Sequence, residues 1–228
     1  MYGYYSSMIL LIPAILLSIY AQSKVQGAYR TYLNVRNARG ITGAEAASRI
    51  LQFNELQIPI NEIEGTLTDN YNPQQGTMNL SAQVYELPTI ASMAIAAHEC
   101  GHALQHASGY SLLNFRNSIV PVANIGSMLS WPLLLVGLMM GQSGGFLFNL
   151  GIFMFLGVVL FHLVTLPVEL DASKRALIQL EALNCFASDE EHAAAKQVLD
   201  AAALTYLAAL ATAVANLLRM LALRGNRR

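Results

Sequence analysis

Charge is what this sequence has least of. Asp, Glu, Lys and Arg make up 12% of its 228 residues, while 54% are hydrophobic; soluble domains carry about 25% charged residues. That balance excludes an ordinary soluble globular protein and points to a chain that spends much of its length in lipid. The formal net charge is -1. No basic stripe or cluster with interleaved aromatics occurs, so nucleic acid is excluded as a partner. Cysteine is scarce too: Cys100 and Cys185 stand alone, without the paired spacing of a zinc ribbon or a redox site. A disulfide framework is therefore excluded, which fits a reducing compartment.

The charge deficit is uneven along the chain. Met1 to Ser23 holds no charged side chain, and Met8 to Ala21 is almost continuously apolar, with Tyr4 and Tyr5 before it and Tyr20 near its end. A spanning helix is expected over about residues 4–21. A cleaved signal peptide is the alternative, but the start lacks a basic region and Ala21-Gln22-Ser23 is a mediocre cleavage site. The 52 residues from Asn117 to Val168 contain no Asp, Glu, Lys or Arg. That is room for two spans, expected at Ile119–Met140 and Phe146–Pro167 and joined by Gly141-Gln142-Ser143-Gly144-Gly145. Ala201 to Leu218 is again uncharged and is expected as a fourth span over residues 201–221. Arg219, Arg224, Arg227 and Arg228 would then lie outside, against the positive-inside rule, so a helix packed on the soluble part is the alternative. Lys24, Arg30, Arg36, Arg39 and Arg49 come after the first span, Arg116 precedes the second, and Lys174 and Arg175 come after the third. All of these are expected on the cytoplasmic side.

Residues 24–116 have the texture of a soluble lobe. Thr42-Gly43-Ala44-Glu45 matches a capping box, and Ala46, Ala47, Ile50 and Leu51 continue at helical spacing to about Asn54. Between Ile58 and Leu87, turn residues separate two short alternating runs, which predicts a hairpin. Its second strand, expected from Thr77 to Val84, has two readings: an edge that pairs with an extended peptide, or a flap that merely covers the neighbouring helix. Pro88 introduces that helix, expected from about Thr89 to Ala107, with Gly109 as its stop.

The helix carries Ala96-Ala97-His98-Glu99-Cys100-Gly101-His102-Ala103-Leu104, a His-Glu-x-x-His pattern. Residues four apart share a helix face, so His98 and His102 can present ring nitrogens to one tetrahedral Zn²⁺. Glu99 is rotated by about 100° from His98. It lies off the ligand stripe but beside the open position, where it can take a proton from an activated water. Cys100 turns away from both histidines and reads as a small buried hydrophobe. His106 continues the stripe, yet His98 and His106 are separated by about 12 Å of rise, so it reads as a surface or capping residue. The long pattern with a third histidine is absent, because Gln105 and Ser108 occupy its glycine and histidine positions. His162 reads as a packing residue of the third span.

The third ligand must come from elsewhere. The first acids after Glu99 stand in Leu166-Pro167-Val168-Glu169-Leu170-Asp171-Ala172-Ser173. Glu169 and Asp171 differ by roughly 200° on a helix, so at most one of them can face the ion.

His98-Glu99-Cys100-Gly101-His102, the two spans, and this acidic segment together resemble the YugP-like neutral zinc metallopeptidases of bacterial membranes. Thr68-Asp69-Asn70-Tyr71-Asn72-Pro73 and Leu80-Ser81 extend the resemblance to nearly the whole chain. More distantly, the order of elements is similar to the heat-shock membrane protease X and CAAX-prenyl protease group of gluzincins. The resemblance implies Glu169 as the third zinc ligand, with Asp171 as the reserve ligand or an acid hydrogen-bonded to one. Those relatives often carry Asp four residues after the ligand Glu; Ser173 stands there in this chain.

The expectation is a mainly α integral membrane protein with three or four transmembrane helices and a small α+β zincin-like cytoplasmic lobe. It forms one domain over residues 1–228, in which the helices of 169–200 supply the third ligand. The expected activity is zinc-dependent endopeptidase action on membrane or membrane-proximal proteins, in the bacterial inner membrane, with the site on the cytoplasmic side. The expected partners are a peptide or membrane-protein substrate and the lipid bilayer; oligomeric state is not set by the sequence. A zinc amide hydrolase acting on a lipid, and a membrane binding protein with a structural zinc, are the alternatives.

Overall fold

A computed structural model describes residues 7–225. Tyr4, Tyr5, Arg227 and Arg228, which entered the span and topology expectations, lie outside the described residues. In chain order the elements are α1 (Ile12–Leu33), α2 (Gly43–Phe53), β1 (Ile60–Ile63), β2 (Asn70–Asn72), β3 (Thr77–Ser81), α3 (Ala82–Glu86), α4 (Ile90–Ala107), α5 (Ser111–Met139), α6 (Gly145–Ala182) and α7 (Asp189–Gly225). A single turn of 3-10 helix, Gly141–Gly144, joins α5 to α6.

Among the described residues, four stretches, Ser7–Leu33, Ser111–Met139, Gly141–Ala182 and Asp189–Gly225, are long and apolar enough to cross a membrane. The chain is thus a mainly α-helical membrane protein with a small α+β part. It divides into two compact units: one holds the residues up to Ala21, Ser111–Pro167 and those from Thr205; the other holds Gln22–Tyr110 and Val168–Leu204.

The first unit is built as a protein dissolved in lipid must be, with apolar side chains outward and small residues between the helices. Ile15, Leu16, Val122, Met128, Phe146 and Phe153 are exposed, while Leu134, Phe148, Ile152, Phe155 and Met220 form a core. A β-carbon on Gly126 would lie 2.4 Å from the Met154 carbonyl oxygen, and one on Gly144 2.1 Å from that of Gly137. These close approaches hold the α5–α6 hairpin together. Ser18 and Thr212 share a hydrogen bond of 3.1 Å between α1 and α7.

In the second unit, Thr42 caps α2 by accepting the Glu45 N–H at 3.1 Å. The predicted capping box is only half made, because the Glu45 carboxylate pairs with Arg49 instead. The amphipathic α2 buries Ala46, Ala47, Ile50 and Leu51 in a core with Met78, Leu80, Met93, Ala97 and Cys100. Cys100 is fully buried there, as its position on the helix predicted.

The sheet corrects the hairpin in two ways. β2 and β3 are antiparallel as expected, but a third strand, β1, pairs parallel to β3, giving the order β1-β3-β2. Four residues of β1 are too few to show a period, and its partner is not its neighbour in sequence. β3 is therefore the central strand, bonded on both sides, and offers no free edge to a peptide. It also ends at Ser81: Ala82–Val84, expected as strand, begin α3.

α4 is fixed at both ends. Thr89 accepts the Ser92 N–H at 3.2 Å, and the preceding turn is tied to residues 35–37 through Asn37 N to Pro88 O at 3.1 Å and Ile90 N to Val35 O at 3.0 Å. At the far end Gly109, with φ +64°, donates to His106 O at 3.1 Å, and Tyr110 donates to Gln105 O at 2.9 Å. That is a Schellman stop.

α6 runs unbroken through Pro167 and carries Glu169 to α4. Contact between the two helices is made at Gly101, where an added β-carbon would sit 2.3 Å from the Ala172 carbonyl oxygen. Backbone, not a flexible side chain, fills that space. Gly101→Ala is expected to destabilise the protein by about 1–3 kcal/mol, the range for overpacking, read as a lowered melting temperature in detergent. An unchanged melting temperature would show that α6 can move away without cost.

Candidate metal centre

Three of the sequence-predicted residues converge. His98 and His102 lie one turn apart on α4, and the α4–α6 contact brings Glu169 over both. Their ligand atoms all lie within 4.8 Å of one another. Glu169 Oε2 is 3.2 Å from His98 Nε2 and 3.4 Å from His102 Nε2. The two rings stand edge to face, with centroids 4.8 Å apart. The histidine side chains are 13% exposed and that of Glu169 3%.

Each ring is held from behind. His98 Nδ1 lies 3.1 Å from Ser173 Oγ, so Ser173, one turn after Glu169 on α6, reaches the first histidine of the pattern. His102 Nδ1 lies 3.0 Å from Gln105 Oε1.

Glu99 points elsewhere on the helix, as its rotation predicted, and is buried. Its Oε2 accepts the Tyr71 N–H of β2 at 2.9 Å. Asp69 positions that strand by accepting the Ser81 N–H at 2.7 Å and its hydroxyl at 3.0 Å. Burial pushes the Glu99 carboxyl up, and although His98, His102 and the Tyr71 N–H pull it down, the balance stays above the ordinary carboxylate range. For His102, burial pulls down, but the hydrogen bond to Glu169 and the charges of Glu99 and Glu169 outweigh it, so its affinity for a proton is raised.

The same balance argues for a cation. With both imidazoles neutral, Glu99 and Glu169 place two negative charges in a buried site, which is costly unless compensated. A divalent ion cancels that charge. Two donors on a tetrahedron with bonds of about 2.1 Å are roughly 3.4 Å apart, close to the two His–Glu169 separations. Two imidazoles and a carboxylate are also a donor set that zinc accepts with one position left open. The residues present therefore fit Zn²⁺.

Other residues are engaged away from these three. Asp171, the reserve ligand, accepts from Arg175 Nε at 2.6 Å and Gln105 Nε2 at 2.9 Å. Exposed His106 holds Tyr71 Oη at 2.8 Å through Nδ1. His162, in the other unit, makes an edge contact with Phe161. The sequence reading missed Gln105 and Tyr71. Gln105 stands three residues after His102 on an apolar helix, and that spacing was its available signal. Nothing local marks the Tyr71 N–H, because its role depends on which edge of the sheet meets α4.

A family profile described as "Putative neutral zinc metallopeptidase" matches residues 7–225. The "Putative membrane protease YugP" of Bacillus subtilis (strain 168) is 42% identical over 211 residues, 92% of each chain. No solved structure matches. With the profile covering nearly the whole chain, and a relative this similar along the same length, the protein belongs to the neutral zinc metallopeptidase family.

Proposed function

We propose that the chain is a membrane-embedded, zinc-dependent endopeptidase of the gluzincin type, acting on membrane or membrane-proximal proteins. The observation that carries this is the meeting of His98, His102 and Glu169, with the buried carboxylate of Glu99 on the turn between the two histidines. His98 and His102 would hold the ion through Nε2, and Glu169 through its carboxylate. When bound, zinc supplies Lewis acidity, polarising a carbonyl and lowering the pKa of water toward about 7.

The chain's own residues do the rest. Glu99 takes the proton of the attacking water and delivers it to the leaving amine. The Tyr71 N–H holds one oxygen of that carboxylate, which fixes the direction of the other. Ser173 and Gln105 keep the two rings from rotating. Asp171 is engaged by Arg175 and Gln105, and His106 by Tyr71. That arrangement supports a fourth position open to water rather than a closed structural site.

Purified chain is expected to hold about one zinc, lost in His98→Ala, His102→Ala and Glu169→Ala, each of which removes one of three protein ligands. Asp171→Ala should retain the ion. Glu99→Gln should also retain it but cleave peptides at least about 100-fold more slowly. Metal analysis beside a peptide-cleavage assay reads all five variants. Full zinc in Glu169→Ala, together with loss in Asp171→Ala, would show the third ligand to be Asp171. Turnover of a lipid amide but not of peptides would move the enzyme to the other hydrolase class.

In this reading the site lies on the cytoplasmic face of a bacterial inner membrane, because Lys24 to Arg49 and Lys174 to Arg175 flank the spans on one side. With Cys100 and Cys185 replaced, Arg36→Cys and Lys196→Cys should label from the cytoplasm and Ser143→Cys from outside. Labelling of Arg36→Cys and Lys196→Cys from opposite faces would defeat this topology.

A further inference from the structure

Gln105 is fully buried, and every polar atom of its side chain is committed. Nε2 donates to the Val168 carbonyl at 2.7 Å and to Asp171 Oδ2 at 2.9 Å. Oε1 faces His102 Nδ1 at 3.0 Å. An amide can be placed either way round, and its orientation must be argued from its partners. Here they leave one choice. A backbone carbonyl only accepts. Asp171 Oδ2 also receives Arg175 Nε at 2.6 Å, and an arginine is always protonated, so that oxygen is a carboxylate acceptor as well. Both partners demand the NH₂ end of Gln105, and its oxygen is left for His102.

A carbonyl oxygen can only accept, so His102 must carry its hydrogen on Nδ1. Nε2 of the neutral ring then has a free lone pair, directed to the side where Glu169 Oε2 stands 3.4 Å away. Arg175 is itself steadied, its guanidinium lying 5.5 Å from the centre of the Tyr110 ring, and Tyr110 belongs to the stop of α4 that begins at the Gln105 carbonyl. Residues of α4, of the turn that ends it and of α6 thus form one chain: Tyr110, Arg175, Asp171, Gln105, His102. His98 has no such constraint, because a serine hydroxyl both donates and accepts.

Resting on the metal-site reading above, we propose that Gln105 is a positioning residue that fixes the tautomer and ring orientation of His102 for metal binding, and that Asp171 and Arg175 act through it. The order of effects is set by the bonds. Loss of Gln105 frees the ring, whereas loss of Asp171 leaves Gln105 still held by the Val168 carbonyl. Asp171 therefore matters less, and only while Gln105 is present.

Zinc affinity of the purified full chain in detergent, measured by competition with a chromophoric chelator, tests this without any assay of activity. Gln105→Met, similar in length and without polar hydrogen bonding to the ring, should bind zinc about 10- to 100-fold more weakly. The visible absorption bands of its cobalt-substituted form should shift, since they report ligand geometry. Asp171→Leu should lose a few-fold, and should add nothing to Gln105→Met in the double variant. Parent affinity and unchanged cobalt bands in Gln105→Met would overturn the proposal, as would losses that add in full. Should Gln105→Met fail to fold, Asp171→Leu decides alone, and parent zinc affinity with parent cobalt bands in that variant overturns it. A parent chain that binds zinc but cleaves no peptide would sink the peptidase reading and leave this one standing. A working peptidase whose Gln105→Met variant keeps parent zinc affinity would sink only this one.

Discussion

The candidate site depends on one steric fact: the backbones of α4 and α6 meet at Gly101 and Ala172, with no room for a β-carbon between them. A helix pair separated by ordinary side chains has axes about 8–10 Å apart. Closer approach is what lets a short glutamate side chain on α6 reach two imidazoles on α4. The glycine stands within the His-Glu-x-x-His pattern itself, one residue before the second histidine. The motif thus carries two kinds of information, candidate ligands in His98 and His102 and helix spacing in Gly101.

The same contact explains how the second unit tolerates so much buried polarity. Glu99, Gln105 and Glu169 are all buried, and each isolated polar group would cost several kcal/mol in an apolar interior. None is isolated. Glu99 is met by a strand N–H, Glu169 by two rings, and Gln105 by a backbone carbonyl, a carboxylate and a ring. Most of these partners lie on another element, so the network exists only when α4, α6 and β2 are assembled. Binding of an ion at His98, His102 and Glu169 would therefore be coupled to folding of this unit.

The first unit answers to a different solvent. Its exposed surface is apolar and its helices approach through glycines, because lipid gives no hydrophobic reward for burying one more leucine and association relies on close packing. Helices there contain proline, at Pro121 and Pro132 in α5, which a water-exposed helix would tolerate poorly. Long uncharged runs, which lie mostly in the first unit, and a compact polar network in the second therefore coexist in one chain.

Much of this was legible in the sequence because it depends on local chemistry. Charge-free runs mark spans wherever they occur, and the helix bearing His98 was bounded to within a residue by Thr89 and Gly109, whose capping chemistry is local. The rotation of Glu99 and Cys100 away from the histidine stripe is a consequence of 3.6 residues per turn. What the sequence could not determine are the choices between residues equally near in the chain but opposite in space. Glu169 rather than Asp171 faces the histidines because α6 lies against Gly101 in one rotation. The strand that meets Glu99 is β2, and β3 is enclosed because β1 pairs with it across an intervening strand and turn. The partner of His102 is Gln105, whose amide is oriented by groups more than sixty positions away. Periodicity says which residues share a face; only packing says what that face touches.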